Sequence, residues 1–182
     1  MMAASILMLL FIILGGVTNV TPFNKTYFLQ ADTKGITGAL DTSQWTYFHI
    51  CGPNNKDCTK AKPAYPFGYA WDGNAKNIPD RFQGSKGGHT TDNSTYYLWR
   101  FGWVFLIMAL FFNTLTFFSS FIACCGRLGA AISYFIGIFG LVFHTAAVAV
   151  IQATFVRGRD GFKDAGRHAK LGEYGFGFLW GS

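Results

Sequence analysis

A chain of 182 residues has the length of one ordinary soluble domain, yet 51% of it is hydrophobic, 13% is charged and 20 residues are Phe. Soluble domains carry about a quarter of their residues as charged side chains, so a soluble fold, and with it a soluble enzyme, is excluded. The formal net charge of +6 does not point to nucleic acid, since no basic helix or basic–aromatic module accompanies it; basic residues flanking membrane spans and facing anionic headgroups account for it.

The charge is missing in blocks. Ala3–Val17, Phe101–Cys125 and Ala130–Val156 hold no Asp, Glu, Lys or Arg, and roughly 18 such residues suffice to cross a bilayer as a helix. Residues 1–20 form the marginal first span. A cleaved signal peptide normally has a basic start and a small-x-small cleavage site; neither is clear here, which favours a retained helix. Residues 21–98 differ in kind: Pro22, Pro53, Pro63, Pro66 and Pro79 lie in this loop, among many Asn, Asp, Thr and Gly. That punctuation predicts turns and short strands, with strands at Thr26–Gln30 and at Gln44–Cys51.

Residues 99–125 form the second span, anchored by Trp99, Arg100 and Trp103 at the lipid–water boundary. Residues 126–129 are a tight turn, and residues 130–155 return as the third span. On that span Gly129, Ser133, Gly137, Gly140 and His144 recur on one face, where small residues let helices approach closely in lipid. Residues 156–173 are polar and basic; Phe162, Ala165 and Ala169 share a face there, predicting a short interfacial helix. Residues 174–182 read as the start of a fourth span.

Cys51 and Cys58 sit in the polar loop after an aromatic strand. If the loop is extracytoplasmic a disulfide is the natural reading; zinc is the alternative, with no second Cys or His pair to support it. Cys124 and Cys125 end the second span, as candidates for palmitoylation or as idle thiols. Sequons at Asn19, Asn24 and Asn93 all fall in the same loop; Asn24, farther from the membrane, is the best glycosylation candidate. Counting positive charges, by contrast, puts the basic segment 156–173, and with it the loop, in the cytoplasm.

No set of residues suggests catalysis. The loop aspartates fit solvated turns, Gly84-Ser85 lacks a nucleophile elbow, and Gly172–Gly177 follows no strand and lacks a phosphate-binding Lys-Ser/Thr. His144 is the one ionisable group inside a span and is by default a functional candidate, although a neutral imidazole bonded to Asn113 or Thr114 is the plainer reading. No metal and no cofactor is implied.

In order along the chain, Pro22-Phe23-Asn24 leading into Tyr27–Gln30, Lys34-Gly35-Ile36, Trp45-Thr46-Tyr47 followed by Cys51, and Pro63-Ala64-Tyr65-Pro66 form a pattern. It continues through Asn77-Ile78-Pro79 with Phe82, Tyr96-Tyr97-Leu98 with Arg100-Phe101, and Phe143 with Thr145–Val148. Ala165-Gly166-Arg167, Ala169–Gly172 and Trp180 complete it. With these residues the chain resembles the fungal Sur-seven/PalI family of eisosome-associated plasma-membrane tetraspan proteins. The Trp45…Cys51…Cys58 arrangement also resembles the claudin-type ectodomain.

The resemblance implies a mainly α membrane fold: a claudin-like tetraspan bundle, here three spans plus the start of a fourth, with a small disulfide-stapled, β-containing extracellular loop. It implies a cytosolic N-terminus and a second extracellular loop at residues 156–173, against the charge count. The function it implies is non-enzymatic organisation of plasma-membrane domains, cell wall and endocytosis. The partners would be membrane lipids and other membrane proteins, copies of itself included, with no nucleic acid and no small-molecule substrate. An auxiliary subunit of a larger transporter or polysaccharide synthase is the alternative. A pH or stress sensor titrating through His49, His89, His144 or His168 is a further one.

Overall fold

A computed structural model describes residues 2–84, 90–123 and 127–182 of the chain. Its elements are helix α1 (Met2–Ile13), strands β1 (Leu29–Asp32), β2 (Thr42–Trp45) and β3 (Ile50–Cys51), helices α2 (Asn93–Ala123) and α3 (Arg127–Asp164), strand β4 (Ala169–Leu171) and helix α4 (Glu173–Gly181). Short 3-10 turns punctuate the first loop at Phe23–Lys25, Pro53–Asn55, Phe67–Ala70 and Asp80–Phe82, each opened by a proline, Pro22, Pro53, Pro66 and Pro79 in turn.

Helices α2 and α3 have 31 and 38 residues, so they are about 46 and 57 Å long at 1.5 Å per residue against a hydrocarbon core of about 30 Å. In the most apolar stretch of each, 22% of residues are buried. The core helix of a soluble protein would be mostly buried; here Phe118, Phe121, Phe135 and Leu141 are more than 60% exposed. Apolar surface on that scale needs a nonpolar surrounding, so the chain is a membrane protein. Helix α1 has 12 residues, and α4, which runs to the last residues of this chain, has nine.

The pair α2–α3 is antiparallel: Gly102 faces Ile151, Asn113 faces Gly140 and Thr116 faces Gly137. A Cβ at Gly102 would stand 2.8 Å from Ile151 Cγ1 and one at Gly140 2.8 Å from Asn113 Oδ1. The helices therefore meet backbone to side chain, the van der Waals contact that replaces hydrophobic driving force in lipid. Phe112 stacks on Phe143 at 5.4 Å in the same seam.

The expected element boundaries move in several places, the second helix already beginning at Asn93 rather than at 99. First, the tight turn at 126–129 is not seen as such: Arg127, Leu128 and Gly129 already belong to α3, and Gly126 lies outside the described residues. In lipid an unbonded amide costs several kcal/mol, so a helix runs as far as its apolar sequence allows. Second, the third helix does not stop at 155 and no separate interfacial helix follows; α3 continues unbroken to Asp164. Third, Gln44–Cys51 is not one strand. Thr46–His49 turns back on itself, with Thr46 N–H and Oγ1 both donating to His49 O at 2.9 Å, so β2 and β3 form a hairpin. The first expected strand is displaced from 26–30 to 29–32.

The four strands make one antiparallel sheet in the order β3-β2-β1-β4. Three come from the first loop and β4 comes from the segment after α3, so the two loops share a single sheet.

Candidate functional site

The part of the molecule that can meet something other than lipid is this sheet and the aromatic mass beneath it. Its spine is the last third of α3. Ile151, Thr154, Phe155, Gly158, Gly161 and Phe162 are buried while Arg157, Lys163 and Asp164 are exposed, the one-sided spacing of an amphipathic helix. Phe155 stacks on Phe28 at 4.9 Å and meets Trp99 edge-on at 4.8 Å. Two turns further, Phe162 contacts Phe82 at 4.9 Å and Trp45 at 5.6 Å. On the buried face between them stand two glycines: a Cβ at Gly158 would lie 2.8 Å from Phe67 Cε1, and one at Gly161 would lie 3.0 Å from Arg81 Cδ. The glycines admit the loop's aromatic rings against the helix backbone.

Trp45, which the sequence singled out, is 2% exposed and joins β2 to this spine, with its ring 5.5 Å from Phe67. Cys51 and Cys58 form a disulfide with Cα atoms 4.0 Å apart. The chain between them turns sharply through Asn54, Asn55 and Asp57, all at positive φ (58°, 54° and 51°), a region that Asn and Asp enter more readily than other side-chained residues. Gly52 N–H closes that loop on Lys56 O at 2.7 Å, and Asn55 Nδ2 ties it to the stretch after α1 through Thr18 O and Phe23 O at 2.8 and 3.0 Å.

Sequence reasoning missed Arg167. Its guanidinium donates to Lys34 O at 2.8 Å, Asn77 O at 3.2 Å and Asp32 O at 3.5 Å, fastening the second loop to two separate stretches of the first. Tyr47, fully buried, donates its hydroxyl to Trp103 O on α2 at 2.7 Å and stacks on the Trp103 ring. Burial pushes its phenol pKa well above the ordinary value near 10.

The other predicted residues are placed as follows. Gly137 and Gly140 face α2. Ser133 lines a groove with Met2 and Thr116, its hydroxyl buried without a partner, and Gly129 lies in the first turn of α3. His144 pairs with neither Asn113 nor Thr114; Thr114 donates to Leu110 O, and His144 Nε2 stands 3.5 Å from Ser182 Oγ at the end of α4. The helix rotation that turns Gly140 towards Asn113 carries His144 round to α4. His49 bonds Thr59 O at 2.8 Å and His168 is exposed, so these histidines sit on different elements and form no cluster. His89, Cys124 and Cys125 lie outside the described residues.

Of the sequons, Asn19 is exposed, with its amide placed to donate to Asn55 O. Asn24 is half-buried and accepts from Thr21 Oγ1 at 3.3 Å. Asn93 opens α2, where Asp92 caps the helix and holds Thr95. Among the described residues no group of three or more His, Cys, Asp or Glu converges on a metal-sized site.

No solved structure matches the chain. Protein SUR7 of Candida albicans is 31% identical over 181 residues, 98% of this chain and 65% of its own length. Protein SUR7 of Saccharomyces cerevisiae is 32% identical over 187 residues, covering 100% of this chain and 60% of its own length. A Saccharomyces cerevisiae protein named as an uncharacterized plasma membrane protein is 26% identical over 96% of this chain and 58% of itself. The chain thus spans about three fifths of the length of the relatives it matches. The model of the SUR7/PalI family matches residues 1–182 from end to end, and the chain belongs to that family.

Proposed function

We propose that the chain is a non-enzymatic plasma-membrane protein of claudin-like, multi-pass tetraspan build that organises lateral membrane domains, including eisosome-associated ones, with consequences for cell wall and endocytosis. The observation that carries this reading is a rigid ectodomain standing on a helix pair whose outward faces stay apolar and uncovered. Tyr134, Phe135, Leu141 and Val142 on α3 and Phe111, Phe118 and Phe121 on α2 are all more than half exposed. Such a surface can be covered by lipid or by further copies of the chain. The names of the relatives denote a family and a plasma-membrane location rather than a reaction.

In this reading both loops face outside and the N-terminus is cytosolic. A disulfide between Cys51 and Cys58 fits an oxidising compartment and supports that orientation over the one from counting positive charges.

An auxiliary-subunit role has its own support. The groove of about 380 Å³ lined by Met2, Thr116, Ser133, Tyr134, Gly137, Ile138 and Leu141 contains the unpartnered Ser133 hydroxyl, a group that a partner helix could satisfy.

Native mass spectrometry of the purified complex, before and after reduction and deglycosylation, tests these readings together. Copies of the chain alone support the organiser, and a large partner of fixed stoichiometry supports the subunit. A glycan on Asn24 with a reducible loop places the ectodomain outside. Bare sequons with free thiols invert the orientation.

A further inference from the structure

Across the sheet, strand register places Cys51 opposite Gln44, Gln44 opposite Gln30, and Gln30 opposite Lys170. Directly opposed residues project to the same face, so the three polar side chains form a row beside the disulfide. They floor a cleft of about 350 Å³, walled by the disulfide loop at Pro53 and Asn54 on one side and by Glu173 and Tyr174 at the start of α4 on the other, with Asn24, Lys25 and Tyr27 also lining it; the sequon at Asn24 thus stands at the cleft itself, and the test below uses chain without a glycan there. That volume lies at the small end of the roughly 300–1,000 Å³ typical of ligand pockets.

Gln44 makes the cleft more than a crevice. Its side chain is 4% exposed, its Nε2 donates to Gln30 Oε1 at 3.1 Å, and its Oε1 has no partner among the described residues. Turning both amides round would exchange the roles and leave Nε2 the orphan instead. A buried amide atom without a partner costs about 1–3 kcal/mol, and a hydroxyl, which both donates and accepts, answers it in either orientation. The surrounding groups suit the same chemistry. Lys170 and Glu173 are exposed, and neither is in an ion pair among the described residues, so a charged donor and a charged acceptor are both free for hydroxyl groups. Tyr27 supplies aromatic surface against which the C–H face of a ring can lie, and Lys25, whose ammonium lies 5.7 Å from the centre of the Tyr174 ring, adds a second cationic donor at the cleft.

We propose that this cleft is a binding site for one hydroxylated ring, a hexose residue or a cyclitol, held by Gln44, Gln30, Lys170 and Glu173 and packed on Tyr27. The ring can belong to a glycan or to a lipid headgroup. The site goes beyond the organising role and stands on the sheet alone; its test reads ligand contact rather than assembly, so either can fail without the other.

The test is saturation-transfer NMR on the 182-residue chain in phosphatidylcholine nanodiscs, free of sugar-based detergent. The probes are laminarihexaose, chitotetraose, glycerophosphoinositol and, as an equally charged probe without a ring, glycerophosphoserine. Transfer to ring protons of a saccharide or of glycerophosphoinositol, and none to glycerophosphoserine, is the expected result; saccharides alone identify a glycan source and glycerophosphoinositol alone a lipid one. With the disulfide intact and melting unchanged, Lys170→Ala weakens binding about threefold and Gln44→Leu about tenfold, the loss of one hydrogen bond each. Three results would overturn the site: transfer to none of the probes, equal transfer to glycerophosphoserine, or unchanged affinity in both variants.

Discussion

At the scale of single residues, the ectodomain is held by a few side chains with several partners each. Arg167 spends its guanidinium on three backbone carbonyls from two segments. Arg167→Ala is expected to destabilise the sheet region by about 1 kcal/mol, read as a lower melting temperature by Trp fluorescence, because three backbone carbonyls lose charge-assisted donors. Lys in its place recovers only part, since one ammonium cannot span the fork that a guanidinium does. Tyr47 gives a pH signature. Its folded-state pKa is raised, so the folded protein keeps a proton that the unfolded chain releases above about pH 10. Stability is unaffected by this group below that pH and falls as pH rises past it. Melting curves from pH 8 to 11 are expected to show that loss, and Tyr47→Phe, which cannot ionise, to flatten it at the expense of the Trp103 hydrogen bond.

At the scale of elements, α3 is both a helix long and apolar enough to cross a membrane and the post on which the sheet region is built. Its outer part depends on Gly158 and Gly161 having no side chain. Gly158→Val forces branched carbons into the Phe67 ring, which Phe82 and Phe155 hold from other sides. Overpacking of this kind costs about 1–3 kcal/mol, to be measured as a shift in thermal unfolding monitored by Trp fluorescence in nanodiscs. The disulfide acts on the neighbouring loop. Replacing Cys51 and Cys58 together by Ser is expected to cost roughly 2–3 kcal/mol, the loop-closure entropy of so short a ring, and to loosen the wall of the sheet cleft. Amide exchange over residues 50–59 would report it; unchanged protection there would mean that Asn55 alone holds the loop.

At the scale of the whole molecule, the long helices and the sheet region are one packed object. The buried set is continuous from Leu106 and Ile151 between the helices through Phe155 and Trp99 to Trp45 and Phe82 under the sheet. Cutting the chain between span and ectodomain would therefore leave neither half with a complete core, and an isolated fragment of residues 21–98 is expected to show the near-ultraviolet spectrum of an unpacked chain. It lacks β4, Phe155 and Phe162; a well-folded fragment would contradict this account. The same continuity ties any contact made by the ectodomain mechanically to the packing of the α2–α3 pair.

What composition and order alone determined is the membrane character, the two long spans, the polar loop with its Cys51–Cys58 pair, and the family. Each of these depends on local properties: runs of uncharged residues long enough for a bilayer, proline and glycine punctuation, and motifs read along the chain. Asp92 as the cap of α2 is equally local, although its loop aspartate looked like any other. Only tertiary structure decided that Val156–Asp164 continues a span. Its charges at Arg157, Arg159 and Lys163 mask the buried Phe155–Gly158–Phe162 face, and the helix pays for that face only by contact with loop residues some 70 to 130 positions earlier. The same holds for β4, three residues whose strand character comes from the edge of β1, for the staple made by Arg167, and for the turning of His144 towards α4. Backbone pairing and helix rotation depend on partners distant in sequence, and no window of a single sequence contains them.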